Sequence, residues 1–155
     1  RVAGCEQCYP AGPAPSVGQR RARAIFCEYD IKQTDCTEGK QFDDQVGCFG
    51  FIDQPAYSVK DAGAYGIPYR ALLPLGLDNV LIAGRMMSVE LVAHASTRNT
   101  VCCLICGQAA GTAAALAAKS GKTPKELDVT QLREQLKKDG VLLKPRPDPI
   151  GVERG

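Results

Sequence analysis

Residues 77–119 have the sequence LDNVLIAGRMMSVELVAHASTRNTVCCLICGQAAGTAAALAAK, and this stretch decides how the rest of the chain is interpreted. A short, continuous apolar run at residues 80–83 follows a turn signal and stops at Gly84, which is typical of a strand buried on both faces. A second apolar block, residues 101–118, is long enough for a helix and too long for a single strand. The stretch therefore predicts a strand, a loop and a helix, in that order.

The predicted helix carries signals at both ends. Asn99 or Thr100 can serve as its N-cap, because both side chains can accept a hydrogen bond from the first turn. Lys119 supplies a positive last turn, and Gly121 and Pro124 follow as a C′ glycine and a stop. Local chemistry alone thus predicts the boundaries of this helix.

Small side chains recur every four residues along one face of this helix, at Cys103, Gly107, Gly111 and Ala115. Residues with this spacing lie on the same side of a helix. A glycine in the middle of a helix costs about 1 kcal/mol relative to alanine, so two of them indicate a packing requirement. We predict that this face lies closely against a parallel sheet.

Two other interpretations of the apolar block stay open. It can be an ordinary helix of a protein core. It can also be a transmembrane helix with a small-residue dimer face, although Gln108 and Thr112 interrupt the run and alanine and glycine favour insertion only weakly.

The composition favours a folded domain of ordinary size. The chain has 155 residues, of which 45% are hydrophobic, so it can bury a real core. With 19 basic and 17 acidic residues the net charge is +2, which does not favour a nucleic-acid or anionic-membrane partner. The sequence begins at Arg1 without a signal segment, from which we expect a truncated start.

The eight cysteines leave an alternative open. Cys5 and Cys8 form a Cys-x-x-Cys pair, which could be half of a zinc or iron–sulfur site or a redox pair, but no matching second half follows. The others are Cys27, Cys36 and Cys48, which lack ligand spacing, and three in the apolar helix, where buried thiols are common. The chain could therefore be a non-catalytic folded module whose cysteines bind a metal or form disulfides.

The flanking segments are more weakly patterned. Between residues 23 and 52 short apolar runs alternate with turn residues, which predicts strands and a small helix. Residues 65–74 are a further strand candidate, and the two prolines in it favour an edge or an end of a sheet. Residues 128–140 have the spacing of an amphipathic surface helix.

Four motifs follow one another at close spacing. They are IPYRALLP at residues 67–74, GLDNVLIAGR at 76–85, STR at 96–98 and GQAAGTAAALA at 107–117. Together they resemble the C-terminal part of FAD-dependent oxidoreductases with the glutathione-reductase type of flavin fold. The likeness is dense in these motifs and looser from Arg20 to Gly140. One departure is Val101, where the family usually has a proline that opens the helix.

The resemblance implies the fold class α/β and a domain organisation. The chain would be the C-terminal portion of an FAD-binding fold, with the closing βα unit and part of a substrate-side β-sheet. The implied order is an irregular segment at 1–19, the substrate-side sheet region at 20–75, the closing βα unit of the FAD domain at 76–122, the C-terminal amphipathic helix at 123–143 and an extended tail at 144–155.

The same resemblance implies a flavin-dependent oxidoreductase that acts on a small-molecule substrate by hydride or electron transfer through FAD. A strand that ends in glycine lets the backbone approach a flat cofactor, and a helix N-terminus beside it favours negative charge. By resemblance we assign the flavin contacts to Gly84, Arg85, Asn99, Thr100, Val101 and Cys102.

Two side chains between the predicted strand and helix are candidates for catalysis. His94 is the only histidine, which excludes a metal site of several histidines, and its side chain can exchange protons near neutral pH. By resemblance, Arg98 can neutralise a substrate carboxylate or the reduced flavin. Each has a structural alternative, a hydrogen-bonded loop histidine and a salt-bridged arginine. We assign no residue as a metal ligand.

The expected partner is the missing N-terminal FAD-binding half. The sequence has no Gly-x-Gly-x-x-Gly turn, which holds the pyrophosphate in dinucleotide-binding folds. We expect that half to come from the same gene or from a separate subunit. The isolated chain is then expected to be inactive, or to self-associate through its open faces. No nucleic-acid or membrane partner is expected.

Overall fold

The structure is a computed structural model, and it describes residues 23–52, 56–60 and 63–145. The predictions for residues 1–19, which include the Cys-x-x-Cys pair, and for nearly all of the extended tail lie outside the described residues. Within those residues the elements follow in the order α1 Gln33–Thr37, β1 Gln45–Phe49, β2 Tyr65–Pro68, α2 His94–Thr97, α3 Thr100–Ser120 and α4 Val129–Lys138. Short 3-10 helices lie at Tyr69–Leu72, Gly84–Met86 and Pro124–Glu126.

The two helices predicted near the C-terminus are confirmed. α3 begins after Asn99 and ends at Gly121, whose φ of +66° is the left-handed conformation expected of a C-terminal glycine. α4 is capped by Asp128, whose carboxylate accepts a hydrogen bond from the Thr130 N–H at 2.9 Å. Its two buried leucines lie on one face, so this helix is amphipathic as predicted.

α3 turns a different face to the core from the one that the sequence predicted. Its buried side chains are Cys102, Cys106, Ala109, Ala113 and Ala117. Gly107 and Gly111 are exposed, and a Cβ atom on either would meet no atom of the described residues within 4 Å. Within the described residues, therefore, these glycines do not lie against a sheet as the sequence predicted.

Close packing between helix and strand does occur, but the glycine that permits it lies on β1. A Cβ atom on Gly47 would overlap the side chain of Ile105 in α3. Small residues occupy more than one face of α3, so their periodicity could not indicate which face is buried. The strand, and not the helix, carries the glycine that this contact requires.

β1 and β2 form a two-stranded antiparallel sheet in which Phe49 lies opposite Tyr65. β2 is buried along its whole length. The strand predicted at residues 65–74 is shorter than expected, because the chain continues as the 3-10 helix Tyr69–Leu72. The sheet forms one side of the core, and α3 packs against it.

The strand predicted at residues 80–83 is not formed in the part of the chain that the structure describes. The Ile82 N–H donates to the Leu72 carbonyl at 3.0 Å, whereas Leu81 makes no backbone hydrogen bond with the described residues. A strand needs a neighbour that pairs with it, so an apolar run alone does not define one. The described fold combines helices with a small antiparallel sheet, and the predicted parallel sheet is absent from it.

An extended segment before α1 connects the Gly84–Met86 turn to the core. The Ile25 N–H donates to the Met86 carbonyl at 3.0 Å, and the Ile31 N–H donates to the Ser88 carbonyl at 3.1 Å. Backbone hydrogen bonds from this segment therefore hold the end of the turn and the residues just after it.

A buried carboxylate organises the chain around α1. Asp35 accepts hydrogen bonds from the Tyr29 hydroxyl at 2.7 Å, the Lys32 N–H at 3.0 Å and the Lys40 ammonium at 2.9 Å. Burial alone would raise the pKa of Asp35, but these hydrogen bonds outweigh it and hold the pKa below its ordinary value of 3.8. Asp35 is thus ionised at neutral pH.

α3 is the one helix among the described residues that is long and apolar enough to cross a membrane, with a mean hydropathy of 1.7. The core helix of a soluble protein meets the same criterion. Its length and composition therefore carry little weight for a membrane assignment.

Candidate functional site

The Gly84–Met86 turn lies against the first two turns of α3. Gly84 has a φ of +76°, and the nearest atom to a Cβ built on it is the Cys103 Sγ at 4.0 Å. Just after the turn, the sulfur of the buried Met87 is 3.8 Å from the Cys106 Sγ. The turn is thus held on α3, while the described residues leave space where a side chain of residue 84 would project.

The same turn is tied to the junction between α2 and α3. Arg85 is exposed, and its Nε–H donates to the Arg98 carbonyl at 3.0 Å. The Cys103 thiol lies 3.8 Å from this carbonyl and 3.8 Å from the Thr97 carbonyl, which allows weak sulfur hydrogen bonds. Donors from two elements therefore converge on the end of α2.

The N-terminus of α3 has no side-chain cap and no acidic residue in its first turn. Asn99, at the N-cap, instead donates its amide N–H to the Ala95 and Ser96 carbonyls at 3.2 and 2.8 Å. Thr100 and Val101, the first two residues of the helix, are exposed. The N–H groups at a helix start and the helix dipole give a positive potential, so this end favours a negatively charged group.

The segment that carries His94 is helical and not the loop that we predicted. His94 begins α2 and is 5% exposed, and Ser96 and Thr97 are also buried. The Ser96 hydroxyl lies 2.7 Å from the Tyr65 hydroxyl and donates to the Phe51 carbonyl. The small residues of α2 permit this close packing on the sheet, which turn and loop signals do not reveal.

The six cysteines of the described residues are free thiols. Burial raises the pKa of Cys27 to about 11 and that of Cys36 to about 12. A hydrogen bond with Cys106, together with burial, raises the pKa of Cys102 well above its ordinary value. Such thiols stay protonated near neutral pH and are therefore poor nucleophiles.

Nor do any three His, Cys, Asp or Glu side chains in the described ranges lie close enough to hold a metal ion. The alternative of a cysteine-based metal or disulfide module therefore has no support in this part of the chain.

The family model for FAD-dependent oxidoreductases matches residues 1–136. The chain belongs to this family. The cofactor of this FAD-dependent oxidoreductase is therefore FAD, and its function is linked to flavin redox chemistry. The mixed helix and two-stranded fold is compatible with part of an α/β FAD-binding domain. Neither a curated protein nor a solved structure gives a significant match.

The residues at the turn and the helix start fit one edge of a flat ring such as that of FAD. Gly84 leaves its backbone uncovered, and the uncapped start of α3 offers N–H donors beside it. Cys102 is fully buried, so only its main-chain N–H could take part in such a contact. Most of the residues that the sequence assigned to the site therefore meet at one junction: Gly84, Arg85, Arg98, Asn99, Thr100, Val101 and Cys102. His94 is the exception, because it is buried at the start of α2.

Two residues of this junction were not among the predicted site residues. Cys103 borders the space at Gly84, and Ser96 holds α2 against the sheet. Cys103 could have been found from the sequence, because it lies one turn into a helix whose start was already assigned. Nothing local in the sequence indicates the partners of Ser96.

Proposed function

We propose that this chain is the C-terminal portion of a flavin-dependent oxidoreductase of the glutathione-reductase type of flavin fold, which transfers a hydride or electrons between FAD and a small-molecule substrate. The observation that carries the proposal is Gly84, which has a positive φ and an open Cβ position beside the uncapped N-terminus of α3. That pairing lets a flat ring approach backbone that any side chain would cover.

FAD, when bound, supplies a ring that takes up a hydride or electrons. The first N–H groups of α3 and the helix dipole favour negative charge at the ring edge that faces them. In this proposal the backbone at Gly84 on the turn, with Thr100 and Val101 on the helix, holds that edge, and Arg85 lies beside Gly84 on the turn. A site of this kind stabilises charge where it develops during the reaction.

His94 and Arg98 are the proposed catalytic side chains, and they lie at the two ends of α2. Arg98 would neutralise a substrate carboxylate or the reduced cofactor. His94 would exchange a proton with the substrate. Because only 5% of His94 is exposed, the substrate would have to reach it through that small exposed part.

The test of the proposed site compares Gly84→Val with Gly76→Val in the FAD-loaded particle that contains this chain and its N-terminal FAD-binding half. Both glycines have a φ of +76°, so a branched side chain imposes a similar backbone strain at either position. We expect flavin affinity to fall in Gly84→Val alone, with comparable losses of thermal stability in the two variants. Equal flavin affinity in both would remove Gly84 from the site.

We further propose that the functional particle includes an N-terminal FAD-binding half, from the same gene or from a separate subunit. Large apolar side chains lie exposed on the described surface, among them Phe26 at 77%, Leu104 at 67% and Leu75 at 60%. Apolar exposure on this scale is typical of a surface that another segment covers.

The geometry between residues 79–81 and α3 supports an extended segment as part of that covering half. A groove of about 360 Å³ lies there, lined by Asn79, Leu81, Lys122 and Pro124 and by four alanines of α3. Because Leu81 makes no backbone hydrogen bond with the described residues, its N–H and carbonyl can pair with an added strand. Apolar side chains of such a strand would fill the groove.

A further inference from the structure

The hydrogen bond between Arg85 and Arg98 joins three elements at one atom. The Arg98 carbonyl lies at the C-cap of α2 and directly precedes Asn99, the N-cap of α3. It accepts a hydrogen bond from the Arg85 Nε–H at 3.0 Å and a weak one from the Cys103 thiol at 3.8 Å. This carbonyl is therefore the point at which the Gly84–Met86 turn holds the start of α3.

The position of the donor along the Arg85 side chain matters more than its charge. The Nε atom is the fourth atom after Cα, and the terminal nitrogens are not needed for this bond. Arg85 also makes no ion pair with any described residue, although its side chain is exposed and within reach of solvent. A guanidinium beside the positive end of α3 gains nothing from the dipole of that helix, and α2, whose C-cap carbonyl it contacts, has only four residues and a correspondingly small dipole.

We propose that Arg85 is a positioning residue whose Nε–H, by fixing the junction of α2 and α3 against the turn, sets the place of the α3 N-terminus relative to the flavin ring. The inference rests on the proposed site at Gly84. It assigns to Arg85 a function through the Arg98 carbonyl, in place of the direct flavin contact implied by the resemblance.

Three substitutions separate the donor from the charge. Arg85→Gln keeps an N–H donor at the place of Nε and removes the charge. Arg85→Lys keeps the charge but has a carbon at that place, and Arg85→Met has neither the donor nor the charge. The donor role predicts that glutamine behaves as the wild type and that lysine behaves as methionine.

The first measurement needs no cofactor. Hydrogen exchange is followed at the Met87 N–H, which donates to Gly84, and at the Cys103 N–H, which donates to Asn99. Loss of one hydrogen bond is expected to speed exchange about threefold to tenfold in the lysine and methionine variants, with the glutamine variant near the wild type. Uniform exchange in all four proteins would overturn the proposed fixing of the junction.

The second measurement uses the FAD-loaded particle of this chain with its N-terminal half and compares the affinity of that particle for reduced and oxidised flavin. If the helix end is displaced, the preference for the more negative reduced form falls, by about threefold to tenfold in the lysine and methionine variants. A tenfold fall is about 30 mV in a two-electron midpoint potential. The glutamine variant is expected to keep the wild-type potential.

The outcomes distinguish this inference from the proposed function. A wild-type potential in the lysine variant with a shifted one in the glutamine variant would make charge the operative property and would overturn the donor role. Altered exchange with four equal potentials would leave a structural bond without a role at the flavin, which also overturns it. Failure of the site itself shows separately, as unchanged flavin affinity in Gly84→Val.

Discussion

Ile105 of α3 lies so close above Gly47 of β1 that a Cβ atom at position 47 would overlap its side chain. Here the side chain of Ile105 packs directly on the backbone of β1. This contact sets the distance between α3 and β1. It therefore also affects the position of the α3 N-terminus beside the Gly84–Met86 turn.

Replacing Gly47 with alanine should therefore destabilise the fold. Overpacking a closely packed contact typically costs about 1–3 kcal/mol. The measurement is the midpoint of urea unfolding, with Gly107→Ala as the matched control. Gly107 is on the exposed face of α3, the helix that carries Ile105. Alanine should therefore raise stability at that position by up to about 1 kcal/mol. A loss of stability in both variants, or in neither, would contradict this account of the contact.

Gly111→Leu, on the exposed face of α3, should affect the stability of the isolated chain and its association with the N-terminal half in opposite directions. In the isolated chain Gly111→Leu should leave stability unchanged or raise it by up to about 1 kcal/mol, because leucine is a better helix former and nothing described lies within 4 Å of the new Cβ. If the N-terminal half covers this face, the same change should weaken its association with the chain. Unfolding midpoints measure the change in stability, and a binding titration with that half measures the change in association. A destabilised isolated chain would support the close packing of this face that the sequence first predicted.

The hydrogen bonds to Asp35 predict a loss of stability in acid. The native pKa lies below the ordinary 3.8, so the unfolded chain binds more protons over this range and protonation favours unfolding. The contribution of Asp35 is complete above about pH 5 and is lost as the pH falls through 3.8 toward the native pKa. Asp35→Asn should lower stability at pH 7 by about 1–3 kcal/mol and flatten the acid limb of the pH profile.

Asp43→Asn is the matched control for that experiment, because Asp43 is exposed and its carboxylate makes no hydrogen bond with the described residues. It should change stability by less than about 0.5 kcal/mol. An acid limb that persists in Asp35→Asn would assign the pH dependence to other carboxylates.

The isolated 155-residue chain should not retain FAD. Most of the specific hold on a dinucleotide comes from a glycine-rich turn and helix start that bind the pyrophosphate, and the sequence has no such turn. Flavin fluorescence during titration, together with gel filtration, measures binding and association state. One-to-one binding at micromolar concentration or tighter by a monomer would contradict the proposed division of the FAD site between two segments.

The parts of the fold that the sequence predicted correctly are those with local causes. Gly121 ends α3 because its left-handed conformation is cheap for glycine, and Asp128 caps α4 because its carboxylate reaches the Thr130 N–H. Both signals act within a few residues of the chain. The start of α3 after Asn99 was also predicted, but the predicted side-chain cap is not formed, because the Asn99 amide donates to the Ala95 and Ser96 carbonyls instead.

The failures all involve contacts between distant segments. The run at residues 80–83 has the composition of a strand, but pairing depends on a neighbour that its own residues do not determine. α3 carries small residues on both its buried and its exposed sides, so size alone could not select between Gly111 and Ala113 for the core. The contact of Ile105 with Gly47 joins residues far apart in sequence, and no periodicity in either segment indicates it.

The site shows the same division. Gly84 and the start of α3 were assigned from the resemblance carried by the motifs at residues 76–85 and 96–98. The structure brings those residues to one junction. The helical conformation and the burial of His94 are set by the tertiary fold, which the motif does not encode. The Arg85 to Arg98 hydrogen bond likewise depends on the tertiary fold.

The half-buried Cys103, 4.0 Å from the open position at Gly84, also turns the proposed flavin pocket into one that can be footprinted chemically. Cys102 and Cys106 on the same helix are fully covered, so alkylation within this helix should begin at Cys103 and be resolved from its neighbours by peptide mass spectrometry. A flavin ring seated at Gly84 would shield that thiol. The rate at which Cys103 is labelled would then report how full the pocket is, in a crude lysate as well as in a purified sample, without any assay of turnover.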